Sequence, residues 1–209
     1  MTEHIMRISK ENRQCEDSSR LIGVDIETYS PSTPPWKTYA DPIVCVSFAI
    51  TNDIDINDGL CVISMIQPPE QERLLLSQSL SILESLNGVR VWFYGYGEGR
   101  FDAPYMLARA AIYGLENRLK NAIESELNLD VYDVAKKIAG INSFSMRRCE
   151  EMLDIKRILS KSCINGANYH YYYDLWRRNG SYEALFYNIE DAITTLRVFQ
   201  KLKWFLRRK

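Results

Sequence analysis

The apolar positions of this chain come in two textures: short unbroken runs alternate with helix-spaced stripes. Residues 1–19 are polar and without period, which predicts a flexible or loosely docked lead-in to a domain over residues 20–209. Apolar runs at Leu21–Glu27, Ile43–Ile50 and Leu60–Ile66 predict three strands. The proline-rich SPSTPPWKTYADP separates the first two and TNDIDINDG the second and third, so the three form an antiparallel meander. Gln71–Leu86 is spaced as a helix, with Leu74, Leu75, Leu80, Ile82, Leu83 and Leu86 apolar. Val89–Tyr96 predicts a buried fourth strand that enters GEG, and Ala103–Tyr113 a helix. Leu127–Val131 predicts a fifth short strand, followed by a helix through Ile138. Ser145–Leu153 predicts a helix with Ser145 as N-cap; Arg148 stands where a full capping box needs Glu or Gln. Tyr182–Phe205 predicts a long closing helix. A meander followed by alternating strands and helices is the pattern of an α/β domain with a mixed sheet.

Composition narrows the class. The 209 residues are 46% hydrophobic and 25% charged, as in an ordinary soluble globular protein with a sizeable core. No apolar run is long enough for a membrane span, and no charged start leads into an apolar signal segment, so a cytoplasmic protein with no membrane partner is expected. Cys15, Cys45, Cys61, Cys149 and Cys163 are scattered, odd in number and without a C-x-x-C, which predicts reduced thiols. Two histidines, His4 and His170, do not supply a histidine-built zinc site. The net charge of −1 does not announce a nucleic-acid binder. Basic residues nevertheless gather at Arg147–Arg148, Lys156–Arg157, Arg177–Arg178 and the tail Arg207–Arg208–Lys209. Such pairs are commonly a solvated helix face, and they matter here if the fold gathers them around acids.

The acids carry the candidate chemistry. In LIGVDIETY, Asp25 and Glu27 end the first strand at alternate positions, so the pleat points both to one side of the sheet. Two like charges brought together call for a cation between them, and a divalent metal held by oxygen ligands is one resolution. An acidic strand end in solvent is the other. In RFDAPY, Asp102 lies at a strand-to-helix junction, placed to face a ligand or to cap the helix. In YNIED, Tyr187 and Asp191 are four apart and share a helical face, as a site or as an exposed pair.

Together, Asp-x-Glu ending the first strand, Phe-Asp after the fourth and Tyr-x-x-x-Asp on a late helix resemble the DEDD exonucleases, the DnaQ-like branch of the ribonuclease H-like fold. The tyrosine four before the last aspartate marks the DEDDy subgroup; Phe186 stands where the histidine subgroup has His. Within that subgroup the chain resembles the proofreading exonuclease domain of archaeal family B DNA polymerases and stand-alone relatives of it, and a stand-alone protein is expected. DIETYSPSTPPWKTYADPIVCVSFAI looks like that domain's opening strand, loop and second strand, and LDVYDVAKKI and SFSMRRCEEMLDIKR like later segments. The likeness covers about residues 20–205.

The resemblance implies a central mixed five-stranded sheet flanked by helices. It also implies metal-dependent 3′–5′ exonuclease activity on DNA with two ions, Mg²⁺ or Mn²⁺. Two such ions roughly 4 Å apart can activate a water and stabilise a departing 3′ oxygen. By resemblance Asp25 would bridge the ions, Glu27 and Asp191 would complete the nucleophile side, and Asp102 would serve the other ion. Tyr187 would orient the attacking water, since a phenol with a pKa of about 10 is a poor base at neutral pH. Thr28, Tyr29, Arg100 and Phe101 are expected nucleic-acid contacts near the site, and Arg147, Arg148, Lys156 and Arg157 expected phosphate contacts. One departure is Gly97, where relatives often carry Asn; this bears on affinity and substrate preference, with Glu98 and Arg100 as substitute contacts.

Single-stranded DNA is the favoured partner, with RNA the alternative within the same fold, since discrimination of the 2′-hydroxyl rests on pocket shape. Association with replication or repair proteins is a further implication. A catalytically silent nucleic-acid-binding subunit is a third reading, opposed by the retention of all four acids and the tyrosine. The cluster NYHYYYDLW, Asn168–Trp176, is expected to pack against the core more than to stack bases.

Overall fold

The structure is a computed structural model that describes residues 20–32, 39–52, 59–139, 145–160 and 163–206. The lead-in, the basic tail and parts of the two loops flanking the second strand lie outside the described residues. Five strands, β1 (Leu21–Thr28), β2 (Ile43–Thr51), β3 (Leu60–Ile66), β4 (Val89–Trp92) and β5 (Asn128–Asp130), form one sheet in the order β3-β2-β1-β4-β5. β1 pairs antiparallel with β2, and β2 with β3, while β1–β4 and β4–β5 are parallel. This is the meander followed by crossovers that the apolar runs predict, an α/β mixed sheet flanked by helices.

Helices cover both faces. α1 (Glu72–Ser85), α2 (Asp102–Ile112) and α3 (Glu116–Glu124) pack on one side. α4 (Tyr132–Ala139), α5 (Met146–Leu153), α6 (Tyr169–Asn179) and α7 (Glu183–Leu206) pack on the other. The period of two along β1 divides its side chains between the faces. Ile22, Val24 and Ile26 enter the core under α1–α3, which leaves Leu21, Gly23, Asp25 and Glu27 facing α7. β2, covered on both faces, is buried throughout, as its continuous apolar run requires.

Two features differ from the pattern's expectation. The fourth strand stops at Trp92 instead of Tyr96, because the Asp130 carboxylate accepts from the Tyr94 and Tyr96 amides at 3.1 and 3.0 Å and Tyr94 turns to φ 62°. α3 forms although only Leu119, Ala122 and Ile123 are buried in it, too sparse a stripe to announce a helix. Ser145 caps α5 as expected, its hydroxyl accepting from the Arg148 amide at 3.2 Å. The tyrosine cluster forms α6; Tyr169 and Tyr173 are fully buried, and the Tyr173 hydroxyl donates to the Gln67 carbonyl at 2.8 Å. Among the described residues Cys45, Cys61, Cys149 and Cys163 are free thiols, and no helix is long and apolar enough to cross a membrane.

Candidate metal centre

The centre is built where β1 runs under α7. Gly23 makes the approach possible: a Cβ there would lie 2.3 Å from the Ala192 carbonyl oxygen. With α7 that close, Asp191 faces the two acids of β1. Ligand oxygens of Asp25, Glu27 and Asp191 all lie within 4.8 Å of one another. A bulge between Glu27 and Thr28 ends the regular pairing with β2 just past the second acid. Asp102, the first residue of α2, is buried beneath the Gly95 turn, where a Cβ would meet its Oδ2 at 2.5 Å. It does not cap the helix; Phe101 is the N-cap residue and no side-chain cap bond forms. Its charge acts on Asp25 and Glu27, although it stands outside the 4.8 Å group.

Electrostatics follow from burial. Asp25 and Glu27 are held well above the usual carboxylate range, first by burial, then by the charges of Asp191 and Asp102. Asp102 is raised by burial and by Asp130 and Asp191. Asp191 is pushed up to about 6 by burial, against the opposing pull of Arg157 and of the Tyr187 hydroxyl. The Tyr187 hydroxyl itself is raised by burial and by the three acids it faces. A set of buried and half-buried oxygen donors that repel one another, with neither His nor Cys among them, fits a hard dication such as Mg²⁺ or Mn²⁺.

A polar row supports Asp25 from behind. Asp25 pairs across the sheet with Ser47, and Ser47 with Ser64, so the three share one face. Asn188 of α7 closes the row. Its Nδ2 donates to Asp25 Oδ2 at 2.6 Å, and its Oδ1 accepts from the Ser47 hydroxyl and from Cys45 Sγ. The Ser47 and Ser64 hydroxyls meet at 2.6 Å. Sequence reasoning missed Asn188 and Ser47. Asn188 lies inside YNIED three residues before Asp191, on the same helical face, and Ser47 is a lone hydroxyl in an apolar strand; those were the available signals.

The expected nucleic-acid contacts fall in different settings. Thr28 is buried, its hydroxyl 3.0 Å from that of Ser30, and Tyr29 packs on Tyr173 with ring centroids 5.2 Å apart. Phe101 packs on Tyr105 at 4.9 Å. Arg100 pairs with Asp133 at 2.6 Å and lies over the Tyr94 and Tyr132 rings. Arg147 donates to the Ile164 carbonyl at 3.1 Å, Arg148 pairs with Glu151 on an exposed turn of α5, and Lys156 is exposed. Arg157 is brought into the centre itself, 2.5 Å from Asp191. Gly97 adopts φ 111°, a left-handed conformation in which an Asn would be strained.

The family model of the RNase H superfamily matches residues 24–203. A DNA polymerase of Archaeoglobus fulgidus is 24% identical over 195 residues, which cover 88% of this chain and 23% of the polymerase. The chain therefore spans under a quarter of the length of that relative. With the mixed sheet, the acid pair on its first strand and the third acid on the closing helix, the profile match over most of the chain means that the chain belongs to the RNase H superfamily.

Proposed function

We propose that this chain is a metal-dependent 3′–5′ exonuclease of the DEDDy type, acting on DNA and preferring single strands. The observation that carries the reading is the convergence of Asp25, Glu27 and Asp191 oxygens within 4.8 Å, from a strand and a helix far apart in sequence. Membership of the RNase H superfamily and the likeness to a stretch of a DNA polymerase support a nuclease and a nucleic-acid substrate. Two bound dications would supply an activated water and charge stabilisation for the departing 3′ oxygen.

The chain's own residues do the rest. Asp25, Glu27, Asp102 and Asp191 would hold the ions, and Asn188 fixes the Asp25 carboxylate. The Tyr187 hydroxyl faces the same acids and orients the water; burial keeps it protonated at neutral pH, so it acts by position and not as a base. Phe101 and Tyr29 flank the site as packing surface for the terminal nucleotide, and Arg147, Arg148 and Lys156 hold phosphates with a salt-dependent grip.

The deciding experiment is digestion of a 5′-labelled single-stranded oligonucleotide with Mg²⁺, Mn²⁺ or EDTA. A descending ladder that EDTA abolishes is expected, stronger on DNA than on the matching RNA. Cuts in a circular strand, or shortening from the 5′ end, would rule the reading out.

A further inference from the structure

Arg157 sits in the centre by construction. It belongs to the connection after α5, and that connection is clamped to α7 by Glu190, a fully buried carboxylate. Glu190 Oε2 accepts from the Ile158 and Leu159 amides at 2.9 and 2.5 Å, and its Oε1 from Arg197 at 2.9 Å. Arg197 also reaches the Lys156 carbonyl at 3.2 Å. Backbone on both sides of Arg157 is thus fixed to the helix that carries Asp191.

The side chain is held as firmly. Its Nε donates to both Glu150 oxygens at 2.9 and 3.1 Å, and Nη1 to the Ser160 hydroxyl at 3.2 Å. The guanidinium lies over the Tyr187 ring, 5.2 Å from its centroid. Nη2 reaches 2.5 Å from Asp191 Oδ1 and 2.7 Å from Glu150 Oε1. The Asp191 contact is a charge contact without aligned hydrogen-bond geometry, whereas the Glu150 bonds are aligned. Glu150 anchors the cation, and Asp191 is what the cation is aimed at.

We infer that Arg157 is a positioning residue that weakens the hold of this site on its metal, by presenting a fixed positive charge to Asp191. The inference rests on the metal-dependent reading above and deepens it. A dication that approaches Asp191 meets a unit charge at short range in a buried site, where charges are poorly screened. Glu150 opposes Arg157, so its removal leaves the guanidinium charge uncompensated and pushes in the other direction.

Mn²⁺ titration by calorimetry at fixed pH decides this, with thermal melts to confirm folding. Arg157→Gln should bind Mn²⁺ more tightly by about tenfold or more, while Arg157→Lys stays within about threefold of wild type. Glu150→Gln should bind more weakly by about threefold or more. A purely structural role for the Arg157–Glu150 pair would weaken binding in both Arg157→Gln and Glu150→Gln, so the opposite signs are diagnostic. Equal or weaker binding by folded Arg157→Gln overturns the inference. Should that variant not fold, unchanged or tighter binding by Glu150→Gln overturns it instead. Failure of the nuclease reading looks different: no Mn²⁺ heat from any of the proteins, Arg157→Gln included.

Discussion

Asn188 donates to Asp25 across 2.6 Å, and that bond joins the closing helix to the first strand at one of the three converging acids. The Asn188 amide cannot turn freely, because its oxygen is already engaged by Ser47 and Cys45. One Asp25 oxygen therefore has a fixed donor, and the orientation of the carboxylate is set before any ligand arrives. Asn188→Leu keeps the branching of the side chain and removes the donor. Turnover or Mn²⁺ affinity should fall about 10–100-fold, the range for losing an orienting partner at a metal site. Stability should fall by about 1–3 kcal/mol, since Asp25 loses a buried partner. Rates on a labelled oligonucleotide, with calorimetry beside them, check this; a folded variant of normal rate and affinity would remove Asn188 from the site.

The same bond dictates how to test Asp25. Alanine would leave the Asn188 amide without its acceptor, whereas Asp25→Asn keeps an acceptor oxygen in place and deletes only the charge. Activity should fall at least about 10²-fold, as when a strong electrostatic stabiliser is deleted. The metal-free variant should be as stable as wild type or more so, because one of the mutually repelling charges is gone. Near-normal turnover by folded Asp25→Asn would sink the assignment of this carboxylate.

These acids were legible in the chain because each sits at the end of a pattern. The alternation of β1 puts Asp25 and Glu27 on one face, and the four-residue spacing does the same for Tyr187 and Asp191. What the chain could not show is which face of the sheet α7 would cover. That depends on Gly23, an inconspicuous residue until the Ala192 carbonyl is seen against it. Arg157 was legible only as one of several basic pairs. Its aim into the centre comes from Glu190 and Glu150, buried carboxylates in stretches where an acid looks like ordinary surface charge. The early end of β4 was hidden for a similar reason, since the Asp130 side chain that stops it lies 34 residues beyond Tyr96.

The raised acids make a prediction about pH. Asp191 is shifted from 3.8 to about 6, and Asp25 and Glu27 are also shifted upward. The folded chain thus holds protons that the unfolded chain releases. This stabilising term is complete below the unfolded carboxylate pKa of about 4 and is lost as pH rises through the folded values. Mn²⁺ would replace the departing protons and restore what is lost. The rise in melting temperature on exchanging EDTA for Mn²⁺ should therefore grow from about pH 5 to about pH 8. Asp25→Asn should flatten that growth. A difference independent of pH in the wild-type chain would contradict the coupling between these acids and metal.

Tyr187 and Asp191 share a face of α7 and can be told apart. The Tyr187 ring packs against Tyr169, with centroids 6.0 Å apart, and beneath the Arg157 guanidinium. Tyr187→Phe keeps both contacts and loses only the hydroxyl, whose presence favours the charged form of Asp191. If the hydroxyl orients water, turnover should drop about 10–100-fold while Mn²⁺ affinity stays within about threefold. Asp191→Asn should do the reverse to the metal. It removes a charged oxygen ligand and leaves Arg157 facing a neutral amide, with Glu150 alone to balance it. Both changes repel a dication, so affinity should fall at least about tenfold. Calorimetric titration of Mn²⁺ into the two variants, beside single-turnover rates, separates the roles. Equal loss of affinity in both would make Tyr187 part of the metal's hold. Full activity in Tyr187→Phe would leave four acids working without the phenol.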